Sequence, residues 1–218
     1  MTRAAFSNRE GACIIKDLIR VIRENKAYLS EIDGAIGDGD HGVNMEKGFS
    51  MCLSRVDWET SDFSGAAKTL GRILLMEIGG SMGPIYGTFF SKLAKETQGK
   101  EKIGGEEFSA MMNSAMAGIV ELGGAKQGDK TLLDTLIPAV NAFDRAFAEK
   151  KDFNAALLSM QEAAKIGWES TRDMVAKVGR ASRLGERSRG VLDAGATSCY
   201  LLLDAMAESI RRILMEVP

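Results

Sequence analysis

The feature that most constrains this chain is the spacing of its apolar residues, which follows a helical period from one end to the other. In the first stretch, Ile14, Ile15, Leu18, Ile19 and Ile22 recur at helical spacing. Ser7 and Glu10 stand three apart ahead of them, as in a capping box. Eight such stretches are predicted, at about 7–32, 42–56, 62–78, 84–97, 105–122, 131–149, 153–177 and 194–216. Ala, Leu, Met, Lys and Glu, all good helix formers, dominate them. No alternating β pattern is read. The expected class is all-α, with residues 1–218 as a single domain. The 12 methionines, with Trp58 and Trp168, are expected to fill the core.

The connections divide into two kinds. Those between stretches one and two, three and four, five and six, and seven and eight are rich in glycine and chemically unusual. They read I-G-D-G-D-H-G, G-G-S-M-G-P (79–84), G-G-A-K-Q-G-D-K-T (123–131) and an arginine-rich run (179–196). The others are mostly ordinary charged turns. Short loops favour antiparallel neighbours, so in an up-down array every odd-to-even loop falls at one end. Parity alone therefore predicts that the four unusual loops meet at one rim.

The first of these loops places Asp33, Asp38 and Asp40 within eight residues. Clustered carboxylates suit a hard divalent cation, and Mg²⁺ commonly bridges carboxylates to phosphate. Two look-alikes are set aside. Gly37, Gly39 and Gly42 satisfy G-x-G-x-x-G but follow a helix rather than a strand, and two of the variable positions are Asp. Residues 123–131 look like a P-loop, again without a preceding strand. The amides of 79–83 open a helix and could seat a phosphate, with Gly79, Gly80 and Gly83 permitting close approach and Ser81 donating a hydrogen bond. Lys130 and Thr131 are expected to begin the sixth helix and do similar work, or Asp129 to cap it. Among Arg180, Arg183, Arg187 and Arg189, one or two are expected to touch ligand. Asp193, Ala194 and Gly195 are placed at an adenine or ribose. His41, the only histidine, is expected to donate a hydrogen bond to phosphate rather than to accept a phosphoryl group. No dedicated general base for a substrate hydroxyl stands out, which fits a subunit that holds a nucleotide while another protein holds the substrate.

The formal charge of −2 argues against a nucleic-acid partner. No apolar run is long enough to cross a membrane, and residues 1–6 carry no signal-peptide core. Cys13, Cys52 and Cys199 are far apart and odd in number, so buried thiols in a reducing cytoplasm are expected.

The motifs D-x₄-D-x-D-H-G with Asn44, G-G-S-M-G-P-I-Y-G-T-F-F, G-D-K-T-L-L-D, G-R-A-S-R-L-G-E-R-S and D-A-G-A-T-S stand in this order over about residues 7–215. Together they resemble the nucleotide-binding subunit family of dihydroxyacetone kinase, DhaL. The resemblance implies an eight-helix antiparallel up-down barrel with ADP or ATP and two Mg²⁺ ions at one rim. It implies Asp33, Asp38 and Asp40 as metal ligands. His41, Gly42, Val43 and Asn44 would contact phosphate, and Gly80, Ser81, Met82 and Gly83 would form a second phosphate loop. Gly123, Thr131, Leu132, Arg180, Asp193, Ala194 and Gly195 complete the implied nucleotide contacts. The substrate would sit on a DhaK-like subunit. The phosphoryl donor would be ATP or a DhaM-like phosphotransferase-system carrier, and a homodimer is left open. Two departures stand out. The family often reads G-G-A-S-G-P where this chain has Ser81 and Met82, and G-H-Q-D-P-G where it has Gly190-Val191-Leu192-Asp193-Ala194-Gly195. The function expected is phosphoryl transfer to dihydroxyacetone or a similar small ketose. The alternatives are a nucleotide-binding regulator of a partner, without turnover of its own, and a purely structural barrel.

Overall fold

The computed structural model describes residues 3–215. Helix α1 (Ala12–Glu24) buries the apolar stripe Ile14, Ile15, Leu18, Ile19 and Ile22. The predicted first helix does not continue unbroken to its end. It stops at Asn25 (φ −102°, ψ 10°), and α2 (Lys26–Ile36) begins afresh. The cause is local: Asn25 Nδ2 donates to Val21 O at 2.8 Å, competing for a carbonyl that the helix would use. Because Asn25 N still reaches Val21 O and Leu29 N reaches Asn25 O, α2 carries the chain on.

The next elements are α3 (His41–Arg55), α4 (Phe63–Glu77), α5 (Met82–Thr97), α6 (Gly105–Gly123), α7 (Leu133–Lys150), α8 (Phe153–Ser170) and α9 (Ala194–Met215). Each of α3 to α8 packs on the next, α8 packs on α9, and α9 returns to α1, which also lies against α3. Among the described residues there are thus nine α-helices where eight were expected.

Two further differences matter. A small antiparallel sheet is present, β1 (Ala5–Ser7) with β2 (Lys102–Gly104), pairing Phe6 with Ile103. Both central side chains are fully buried, which holds three-residue strands that have no pattern long enough to read. The chain is therefore mostly helical rather than strictly all-α. The seventh predicted helix also ends early, at Ser170 rather than near 177. Residues 171–193 form an irregular strap with 3-10 turns at Thr171–Asp173 and Ala181–Ser188.

The Ser7–Glu10 pair makes both reciprocal bonds of a capping box, 3.1 and 3.2 Å, but one turn ahead of α1. One large core, in which Phe108, Phe143 and Phe153 pack ring to ring, is accompanied by a small separate cluster of Ile32, Leu192 and Ala194 with Trp168. Cys52 and Cys199 are buried as expected, whereas Cys13 is only half-buried. No helix among the described residues is long and apolar enough to cross a membrane.

Candidate functional site

All four glycine-rich loops border one cavity of about 380 Å³. The α2–α3 connection brings Asp33, Asp38, Asp40, His41 and Asn44 to its wall. The α4–α5 turn brings Gly80, Ser81 and Met82, and the α6–α7 connection brings Gly123, Thr131 and Leu132. Arg180 comes from the strap, and Asp193, Ala194 and Gly195 from the start of α9. The break at Asn25 leaves the parity intact because α2 extends α1 rather than reversing it.

One carboxylate oxygen from each of Asp33, Asp38 and Asp40 can be chosen so that all lie within 4.8 Å of one another. Asp33 sits in the last turn of α2 and its Oδ2 accepts the His41 backbone N–H at 3.2 Å, which orients it. Asp38 forms an ion pair with Arg180, carried in from the strap. An all-carboxylate donor set without cysteine or histidine fits a hard oxygen-loving cation such as Mg²⁺.

Across the cavity, Gly80 takes φ +72°, and a Cβ at Gly79 or Gly80 would meet nothing within 4 Å. Ser81 precedes α5 without a side-chain cap bond, and the first-turn amides of a helix lack partners within it. Free amides at a helix start can hold an anion.

His41 presents Nε2 to Ser198 Oγ at 2.9 Å, and Ser198 Oγ meets Tyr86 Oη at 2.6 Å. Tyr86 Oη also donates to Gly195 O at 3.2 Å. Burial lowers the His41 pKa to about 4, with Asp33 pulling the other way, so the ring is neutral at neutral pH. The triad ties α3, α5 and α9 together under the cavity. Asp193 Oδ2 accepts Ala196 N at 2.7 Å and so opens α9. Burial raises its pKa to about 6; the Ala196 bond and nearby Lys130 pull it down, and Asp134 and Asp33 push it up.

Some expected residues are placed otherwise. Gly42, Val43 and Gly83 do not line the cavity. A Cβ on Gly42 would collide with Lys26 O, and one on Gly83 would collide with Ile78 O, so both glycines serve close backbone packing. Val43 points outward, 47% exposed. Asp129 does not cap the sixth predicted helix. Thr131 Oγ1 accepts the first helical N–H, Leu133 N, at 3.2 Å and Asp134 accepts Thr131 N at 2.8 Å, while Asp129 accepts Lys126 N at 3.0 Å. Lys130 does not begin a helix; it is buried, with its ammonium on backbone carbonyls of the strap. Arg189 also holds the strap, through Asp173 O.

Sequence reasoning gave no role to Tyr86, Ile36, Ile85 and Ile119, which line the cavity, or to Ser198, which joins Tyr86 to His41 behind it. Tyr86 follows Met82 by four residues on one helix face, a signal that was available. Ser198 lies three after Gly195 in the same way.

The class defined by this fold and rim is that of the DAK2 domain, whose family matches residues 35–208, and the chain belongs to it. Within that family it aligns over most of its length with subunits named for ADP binding. It is 34% identical over 206 residues to the ADP-binding subunit DhaL of PEP-dependent dihydroxyacetone kinase 2 from Listeria innocua, covering 91% of this chain and 93% of that one. It is 36% identical over 181 residues to the DhaL subunit of Escherichia coli K12, covering 83% and 86%. It is also 31% identical to a D-erythrulose kinase of Mycolicibacterium smegmatis, covering 88% of this chain but 34% of that longer one. Among solved structures, the dihydroxyacetone kinase of C. freundii matches in fold, with a TM-score of 0.68, 24% identity and coverage of 96% of this chain and 36% of that one. The same kinase with AMP-PNP and Mg²⁺ gives 0.67 at 22% identity, covering 95% and 35%.

Proposed function

We propose that this chain is the nucleotide-holding subunit of a dihydroxyacetone-type kinase, a phosphotransferase acting on the hydroxyl of a small ketose carried by a DhaK-like partner subunit. The observation that carries this reading is the meeting of four glycine-rich loops around one cavity beside three carboxylates. The names of the full-length relatives, ADP-binding subunits of dihydroxyacetone kinase, support it.

Asp33, Asp38 and Asp40 would hold Mg²⁺, one ion or two. Bound there, Mg²⁺ would neutralise phosphate charge as the phosphoryl group is transferred. The chain's own groups position the nucleotide. The 80–82 amides hold phosphate oxygens, and Arg180 offers a planar donor fork beside the acidic loop. Asp193 to Gly195 take the nucleoside end. Met82 replaces a hydroxyl position, so backbone amides and Ser81 do the work there. Such a site catalyses by positioning and charge stabilisation, and no general base on this chain is required. The helix neighbour order supports a closed up-down ring of eight units, with α1 and α2 counted as one. We assign the protein to the cytoplasm, where nucleotide and Mg²⁺ are at hand.

The test is to denature freshly purified protein, with no nucleotide added, and chromatograph what it releases alongside bound Mg²⁺. Near-stoichiometric ADP supports the reading and a phosphotransferase-system carrier as donor. Empty protein that gains ATP affinity only with Mg²⁺ supports the reading with exchanging ATP. Protein that binds neither nucleotide under any condition sinks it.

A further inference from the structure

Lys130 is the only lysine that is buried among the described residues, with 2% of its surface exposed. Its Nζ donates to Ser188 O and Val191 O, each at 2.6 Å, and to Met174 O at 3.2 Å. An ammonium has three donors, and all three are used. None is left to reach a phosphate directly. The acceptors lie at the two ends of segment 174–191, the strap whose middle residues Val178, Gly179, Arg180 and Ala181 form a wall of the cavity.

That segment has no regular structure of its own beyond 3-10 turns. It contains no α-helix, and Gly179, Gly185 and Gly190 take φ of 71°, 53° and 90°. Its other ties are Lys177 to Asp129, through backbone N to O at 3.1 Å and an exposed ion pair at 3.5 Å, Ala176 N to Ser188 Oγ at 2.9 Å, Gly190 N to Arg172 O at 2.7 Å, Arg189 to Asp173 O, and the Arg180–Asp38 pair. Lys130 itself sits at φ 62°, a left-handed conformation that glycine adopts without strain. A turn needing only that backbone shape gains nothing from lysine, so the position is using the side chain.

We propose that Lys130 is a positioning residue whose ammonium latches the 174–191 strap over the cavity and so sets how long the nucleotide stays bound. This rests on the nucleotide reading above. Releasing the latch would also withdraw Arg180 from Asp38, because Arg180 rides on the strap. The same three bonds join the two ends of a strap of glycines and exposed arginines.

The test compares the wild-type protein with Lys130→Met and Lys130→Arg, and reads three quantities. These are the dissociation rate of a fluorescent ADP analogue with Mg²⁺, tryptic cleavage at Arg180, Arg183, Arg187 and Arg189 in nucleotide-free protein, and Mn²⁺ binding. Lys130→Met is expected to speed dissociation about tenfold or more, since charged hydrogen bonds are lost, and to open the strap to trypsin. Helicity and Mn²⁺ binding are expected to stay as in wild type, and Lys130→Arg to recover most of the slow rate. An unchanged Lys130→Met rate overturns the latch, and so does a parallel loss of helicity, Mn²⁺ binding and nucleotide. If Lys130→Met does not fold, Lys130→Gln decides, because its amide offers two donors in place of three. A dissociation rate no faster than wild type overturns the proposal. Wild-type protein that binds no ADP fails the nucleotide reading instead, while the trypsin comparison still reports whether Lys130 holds the strap.

Discussion

At one set of helix connections a single buried residue, Asn8, ties the α3–α4 connection to the α5–α6 connection. At the other set, glycine loops stand apart around a cavity. Asn8 Nδ2 donates to Thr97 O at 3.0 Å and Lys100 O at 2.9 Å, and its Oδ1 accepts Ser64 N at 3.1 Å. Its backbone joins Glu101 O and Phe63 N. Phe6 and Phe63 pack edge to face beside it. At the cavity rim, by contrast, a Cβ on Gly79, Gly80, Gly123 or Gly179 would touch nothing within 4 Å. The first end satisfies its polar groups internally. The second leaves amides, carboxylates and space for something else. One fold thus keeps its stabilising and its ligand-facing connections at separate ends, so substitutions should separate the two properties.

The sharpest break of that contrast is Asp38→Ala. It is expected to weaken Mg²⁺-dependent ADP binding on the order of a hundredfold, measured by calorimetry, with helicity and melting temperature unchanged. Next come two glycines of the same turn. Gly83→Ala drives a Cβ into Ile78 O and is expected to lower stability by about 2–3 kcal/mol in urea unfolding. Gly79→Ala meets no protein atom and should leave stability alone while weakening nucleotide binding. At the far end, Asn8→Ala should cost about 2 kcal/mol of stability by leaving buried carbonyls without donors. Its nucleotide affinity should match wild type, and a weakened affinity there would break the division between the ends.

The smallest effect concerns Asp193. Its pKa is raised to about 6 in the folded protein, above the ordinary carboxylate value, so the folded state holds its proton more tightly. That contribution is fully present below the unfolded value near 4 and is lost as pH rises through about 6. Asp193→Asn keeps an acceptor for Ala196 N. Relative to this variant, wild type should lose about 1–2 kcal/mol of stability between about pH 4 and pH 7, read from urea unfolding at each pH.

Most of the helices were legible because burial on one face leaves a period in the sequence, as Ile14 to Ile22 illustrate. The meeting of the first three loops was legible too, because it needs only their parity and short connections; the fourth is the long strap 171–193, to which the short-loop rule does not apply. The break at Asn25 was not, since the side-chain bond that causes it leaves the apolar spacing unaltered. Strand pairing between Phe6 and Ile103 joins residues far apart and leaves no local mark. The same distance hid the role of Lys130, whose acceptors are on Met174, Ser188 and Val191. Local composition suggested a phosphate contact there, and tertiary structure put the ammonium to another use. The packing of Gly42 and Gly83 was hidden for a related reason: glycine in a loop motif can serve a ligand or a neighbouring backbone, and the close approach to Lys26 O and Ile78 O leaves no mark in the sequence.

The contact between α1 and α9 has a consequence for synthesis. The stripe on α1 is covered partly by α9, with the whole of α2–α8 made between them. At ordinary rates of translation the stripe waits roughly ten to thirty seconds for that cover. During that interval Ile14, Ile15, Leu18 and Ile22 have no complete partner surface, and a ribosome pausing before α9 would lengthen the exposure of the emerging chain to chaperones and to aggregation.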